Sequence, residues 1–237
     1  MKALCNFMRQ ITPPLGLSLF LLASSPVTQA EDNPYATHYQ AQSPSQLHSL
    51  QAHPEPQLFS GKRPDTDNIQ MLEDGYDLMG FSGFEAGDIP PTQAVAHGRA
   101  IQADTILVYV KKTEEDGQSP PEKSSHTNGS TYRYYATFWA KLPPPVLGVH
   151  VIKLVPRDTA QKDSPSAPSA GVRVIAVIHG SVAEKNGILR GDQLLAIKQE
   201  KVEDAATLSS LVSKFKGQTV TLQLERAGEP LSLQFSL

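Results

Sequence analysis

The chain has 237 residues, with 21 Lys and Arg against 24 Asp and Glu and a formal net charge of −3. That length suffices for one large domain or two small ones. A mildly acidic balance without a basic block excludes long-range attraction to nucleic acid or to an anionic membrane.

Residues 1–30 read as a signal peptide and not as part of the fold. Lys2 and Arg9 form a basic start, the apolar run from Leu15 to Ala23 is too short to span a bilayer, and Thr28-Gln29-Ala30 is a small-residue cleavage site. The mature chain is then expected to begin at Glu31, without stable membrane insertion, in a bacterial periplasm or beyond it. Cys5, the single cysteine, leaves with that segment, so no disulfide, thiol nucleophile or cysteine metal site is expected.

Residues 31–66 are rich in Gln, Ser, Pro and His and poor in aliphatics. Such a composition buries too little apolar surface to offset its ordering entropy, which predicts a disordered leader. Deleting it is expected to leave thermal stability unchanged.

Residues 67–142 read as a small α/β domain of (α)βαββ order. A short helix begins at Asp67 and ends at Gly75, and Tyr76 to Phe84 follows as a strand. Pro90-Pro91 opens a helix running to Ala103, at the position where proline costs least. Thr105 to Val110 is a β-branched strand, and Thr131 to Leu142, with Tyr132, Tyr134, Tyr135, Phe138 and Trp139, is its hairpin partner across a polar loop at 113–130. Pro143-Pro144-Pro145 is a stiff spacer.

Residues 143–237 form the second domain. Val146-Leu147-Gly148-Val149-His150-Val151 opens it, and a polar insert from Arg157 to Ala170 separates that strand from the next, Gly171 to Val177. Gly180-Ser181-Val182-Ala183-Glu184-Lys185-Asn186-Gly187-Ile188-Leu189-Arg190-Gly191-Asp192 leads into a third strand, Gln193 to Ile197. Asp204 can cap a helix running to Phe215, in which Leu208, Leu211, Val212 and Phe215 recur at helical spacing. Gly217 ends the helix, and two alternating strands turn at Ala227-Gly228-Glu229-Pro230.

This order resembles the PDZ domains of bacterial HtrA-type periplasmic proteases, without a protease domain. It departs from them at Val182, where proline is usual, and at Val146, where an aromatic residue is common. With the small (α)βαββ domain read above, the resemblance makes an α+β chain, its second domain a partly open β-barrel with two helices. It also implies β-augmentation, in which an extended peptide adds a strand to a sheet edge and its carboxylate enters a backbone nest. The peptide-binding residues it implies are Val146, Leu147, Gly148, Val149, His150 and Val151, with Leu208, Leu211 and Val212 on the helix wall. Gly148→Trp is then expected to abolish binding without unfolding the domain.

The enzyme readings are weak. Gly80-Phe81-Ser82-Gly83 lacks the upstream scaffold that a serine-protease triad needs. A hydrolase site around Ser82, Asp88 and His97 is the remaining catalytic alternative. His48, His53 and Glu55 offer no fixed ligand set for a metal, and the Asn128-Gly129-Ser130 sequon matters only in a glycosylating pathway. No catalytic residue, metal or cofactor is expected. The expected function is an exported, non-catalytic binding or adaptor protein that takes an extended segment or C-terminus of an envelope protein. A regulatory partner of an envelope protease and a component of a secretion complex are the alternatives. Phe235-Ser236-Leu237 is read as the end of the last strand, with a ligand for another PDZ domain as the rival reading.

Overall fold

The computed structural model describes residues 32–42, 47–113, 130–153 and 171–237. The signal-peptide reading, most of the polar loop at 113–130 and the insert from Arg157 to Ala170 fall outside them.

The first domain is built on an antiparallel pair of long strands, β3 (Tyr76–Ala86) and β5 (Tyr132–Lys141). β4 (Thr105–Lys112) pairs antiparallel with β5, as the aromatic alternation predicts. Alternation along β5 sorts the core. Tyr134, Ala136, Phe138 and Ala140 face α3 (Pro91–Ala100), which contributes the buried Ala94. Tyr135 and Trp139 face the other way, with Met71 and Leu72 of α2 (Pro64–Glu73). α2 starts earlier than Asp67. Pro64 occupies the first turn, and the Asp67 carboxylate accepts from the Lys62 and Arg63 N–H groups at 2.7 and 3.0 Å. Asp67 therefore caps from inside the first turn and not from in front of it.

The expected disordered leader is corrected over its described residues. They carry α1 (Pro34–Thr37), β1 (Tyr39–Ala41) and β2 (Gln57–Ser60), which complete a five-stranded sheet of order β1-β3-β5-β4-β2. β1 is antiparallel to β3, and β2 is parallel to β4. The segment has few apolar groups, but each lands on a receptive surface. Tyr35 is 1 % exposed and packs edge-on to Phe84 at 4.9 Å, while Leu47, Leu58 and Tyr39 close the edge of the same core. The edges of β3 and β4 supply backbone partners that composition alone does not reveal.

The second domain is a six-stranded sheet. Its path is β11 (Glu229–Ser236), β10 (Thr219–Arg226), β8 (Gln193–Ile197), β7 (Val172–Val177) and β6 (Val149–Lys153), with β9 (Glu200–Lys201) beside β8. The described strands do not close into a barrel. α4 (Val182–Lys185) and α5 (Ala205–Lys214) cover a core of Val172, Val174, Leu194, Ile197, Leu222 and Leu224. Asp204 caps α5 by accepting from the Thr207 N–H at 2.8 Å. Asp192, 1 % exposed, accepts from Arg226 Nε and Nη2 at 2.7 Å each, and from the Leu189 N–H at 2.8 Å. Among the described residues no helix is long and apolar enough to cross a membrane.

Candidate functional site

Among the described residues β6 is an edge strand, bonded to β7 on one side. α5 stands across from its free side, and the groove between them holds about 520 Å3. Of the residues expected there, Val146, Leu147, Gly148, Val149, His150 and Val151 line it from the strand side, and Leu208 and Val212 from the helix. Leu211 does not. It points into the core of the domain, 6 % exposed. The wall also includes Ala205, Ser209 and Ser213, one helical turn apart, and Pro144 and Pro145 of the spacer. The 205-209-213 repeat was open to reading as the exposed side of the same helix face. Nothing in the proline run distinguished a groove wall from a linker.

The loop at Leu147–Val149 is fixed by its carbonyls. The Leu147 oxygen accepts from the Ala183 N–H, and the Gly148 oxygen from the Ile178 N–H, both at 2.9 Å. In a trans peptide the C=O and the following N–H point in opposite directions. The Gly148 and Val149 N–H groups are therefore aimed away from α4 and β7, where an added strand would bring its carboxylate. Gly148 has φ +82°, and a Cβ there would lie 2.2 Å from Ser181 Cβ. Only glycine fits, on both conformational and steric grounds. The expectation that Gly148→Trp spares the fold is corrected by this contact: the indole would displace Ser181, the cap of α4.

His150 lies on the opposite face of β6 from Val149 and Val151, which pack in the core. Its ring meets the first domain, with Nδ1 3.7 Å from Asp77 Oδ1 of β3. Burial holds the imidazole below its usual pKa, against the pull of Asp77 and the Leu72 carbonyl. The same burial raises the Asp77 carboxyl. Sequence reading had no signal for this pair, which joins residues of two domains.

The residues of the hydrolase reading have structural roles or face solvent. Ser82 is fully buried and donates to the Tyr35 carbonyl at 2.6 Å. His97 sits edge-on between Tyr39 and Phe138, at 4.8 and 5.0 Å, and burial lowers its pKa. Asp88 is exposed on the loop between β3 and α3. Glu55 is engaged by Arg99 at 2.8 Å, and among the described residues no group of His, Cys, Asp and Glu is placed to hold a metal. The chain end is bonded in place: the Leu237 N–H donates to the Gln218 carbonyl at 3.1 Å, and the Gly217 N–H to the Leu237 oxygen at 2.8 Å. That matches the strand-end reading of Phe235-Ser236-Leu237.

Residues 145–237 match the family model of the PDZ domain. They are a PDZ domain, a module that binds peptides and protein segments. No curated protein matches the chain. Solved structures similar over part of it include the following three. The HtrA3 PDZ domain bound to a phage-derived ligand is 20% identical, covers 38% of this chain and 81% of its own, and has a TM-score of 0.31. The HtrA-type protease AlgW with a decapeptide is 26% identical, covers 37% of this chain and 27% of its own, with a TM-score of 0.31. AlgW with a tripeptide is 26% identical, with 38% and 29% covered and a TM-score of 0.31. The match spans 27% and 29% of these two AlgW chains, less than two thirds of their length.

Proposed function

We propose that this protein is an exported, non-catalytic adaptor whose PDZ domain binds an extended segment or C-terminus of a bacterial envelope protein. The observation that carries the reading is the groove: an unpaired strand edge, an apolar helix wall and two outward N–H groups at Gly148 and Val149. These are the parts β-augmentation needs, with backbone bonds giving affinity and the helix wall choosing the last apolar side chain. Export is supported by the basic, apolar and small-residue order of residues 1–30. The non-catalytic reading is supported by Ser82, whose hydroxyl is spent on a structural bond in the core.

The test is binding of the two-domain chain to a library of peptides with free carboxylates, each paired with its amide. About micromolar binding that is lost on amidation is expected, because a short strand with one pocket buries little area. Equal binding of both forms, or none, would remove the carboxylate-groove reading. Export is checked by fractionating cells expressing the chain with and without residues 1–30. Recovery in the envelope fraction should require that segment.

A further inference from the structure

We propose that Asp77 of the first domain is a positioning residue for the peptide groove, acting through His150, so that the site belongs to both domains. The proposal rests on the peptide-binding reading above.

The Leu147–Val149 loop is held from behind by Ile178, whose N–H bonds the Gly148 carbonyl. The next residue reaches the other domain: the His179 N–H donates to the Glu73 carbonyl, at the end of α2, at 2.9 Å. Gly75, in the turn between α2 and β3, sits against the Ile178 side chain. A continuous path therefore runs from that turn to the Gly148 carbonyl, which aims the Val149 N–H. Asp77 closes the same junction from β3. It lies 3.7 Å from His150, on the strand that would receive the ligand. The two side chains are 35 % and 14 % exposed, and within 4.0 Å His150 is the one ionisable partner of Asp77 among the described residues.

β6 needs such a brace. Among the described residues it has strand bonds on one side, to β7, and the other side is where a ligand must find donors and acceptors already aligned. Charge-assisted hydrogen bonds to a carboxylate depend steeply on distance and angle. A brace on the face opposite α5 fixes the strand without filling the groove.

The test uses the two-domain chain, with the carboxylate-ended library peptide that binds wild type most tightly and its amide as probes. Asp77→Ala should weaken the carboxylate peptide about tenfold and the amide much less. Asp77→Asn should restore most of the loss, because it keeps the side chain's volume and a polar oxygen facing the imidazole. Asp77→Ala combined with His150→Ala should bind no worse than the weaker single variant, since both remove one linkage. Tyr35→Leu, which destabilises the same domain away from the junction, should keep wild-type affinity. A folded Asp77→Ala within about twofold of wild type would overturn the positioning role, as would an equal loss in Tyr35→Leu. In either case wild-type binding would still uphold the groove reading. Absence of carboxylate-dependent binding in wild type would overturn both.

Discussion

Ser82 Oγ donates to the carbonyl of Tyr35 at 2.6 Å, and both residues are buried. The bond ties the first helix of the described chain to β3, between β1 and β5 in the first sheet. Tyr35 also meets Phe84 and Tyr134 edge-on, at 4.9 and 6.3 Å. Tyr35→Ala removes a large aromatic from a site with little room to collapse, and should cost about 3–5 kcal/mol. Urea unfolding followed by tryptophan fluorescence will read it, since Trp139 lies in the same domain. An unchanged midpoint would mean that the segment before β2 does not pack on the body.

Legibility followed how local each signal was. The cap at Asp204, the glycine after α5 and the alternation along β10 and β11 are short-range patterns, and the structure has them where they were read. The loop at Leu147–Val149 was legible for the same reason. Tyr35 was not, because a lone tyrosine among polar residues acquires meaning only from Phe84 and Tyr134, far along the chain. Leu211 was placed on the groove because helical spacing cannot separate two adjacent apolar faces, and only packing assigns it to the core. Asp77 and His150 carry no mutual pattern at all.

Ser209 gives a cleaner way to block the groove than Gly148. It is exposed on α5 and lines the groove between Leu208 and Val212. Ser209→Trp adds an indole to that wall without entering the core, so the melting temperature should stay close to wild type. Peptide affinity should fall by at least about tenfold through exclusion of the ligand strand. Calorimetric titration with a carboxylate-ended peptide is the measurement, and wild-type affinity in this variant would place the ligand elsewhere.

His97 sets a direction for the pH dependence of stability. Burial between Tyr39 and Phe138 lowers its pKa from an ordinary 6.5, and its Nε2 has no hydrogen-bond partner among the described residues. The unfolded chain therefore takes up the proton first on acidification. The contribution of His97 to stability is complete above about pH 6.5 and declines as pH falls below it, with a slope of at most about 1.4 kcal/mol per pH unit for one proton. His150, also lowered, adds to the decline in the same direction. Melting temperatures of His97→Phe should fall less than those of wild type between neutral pH and pH 5. Parallel curves would mean that His97 titrates normally in the folded state.

Arg226 and Asp192 should respond unequally to truncation. The carboxylate is 1% exposed, whereas the guanidinium is 36% exposed and also donates to the Gly187 carbonyl at 2.7 Å. Arg226→Ala leaves a buried carboxylate with one remaining donor, the Leu189 N–H, and should cost about 3–5 kcal/mol. Asp192→Ala leaves a guanidinium that can turn to water, together with one unsatisfied N–H, and should cost about 1–3 kcal/mol. Denaturant unfolding of the two variants compares them directly. A larger loss in Asp192→Ala would show that the carboxylate acts mainly by ordering the turn from Gly187 to Asp192, with Arg226 an accessory to it.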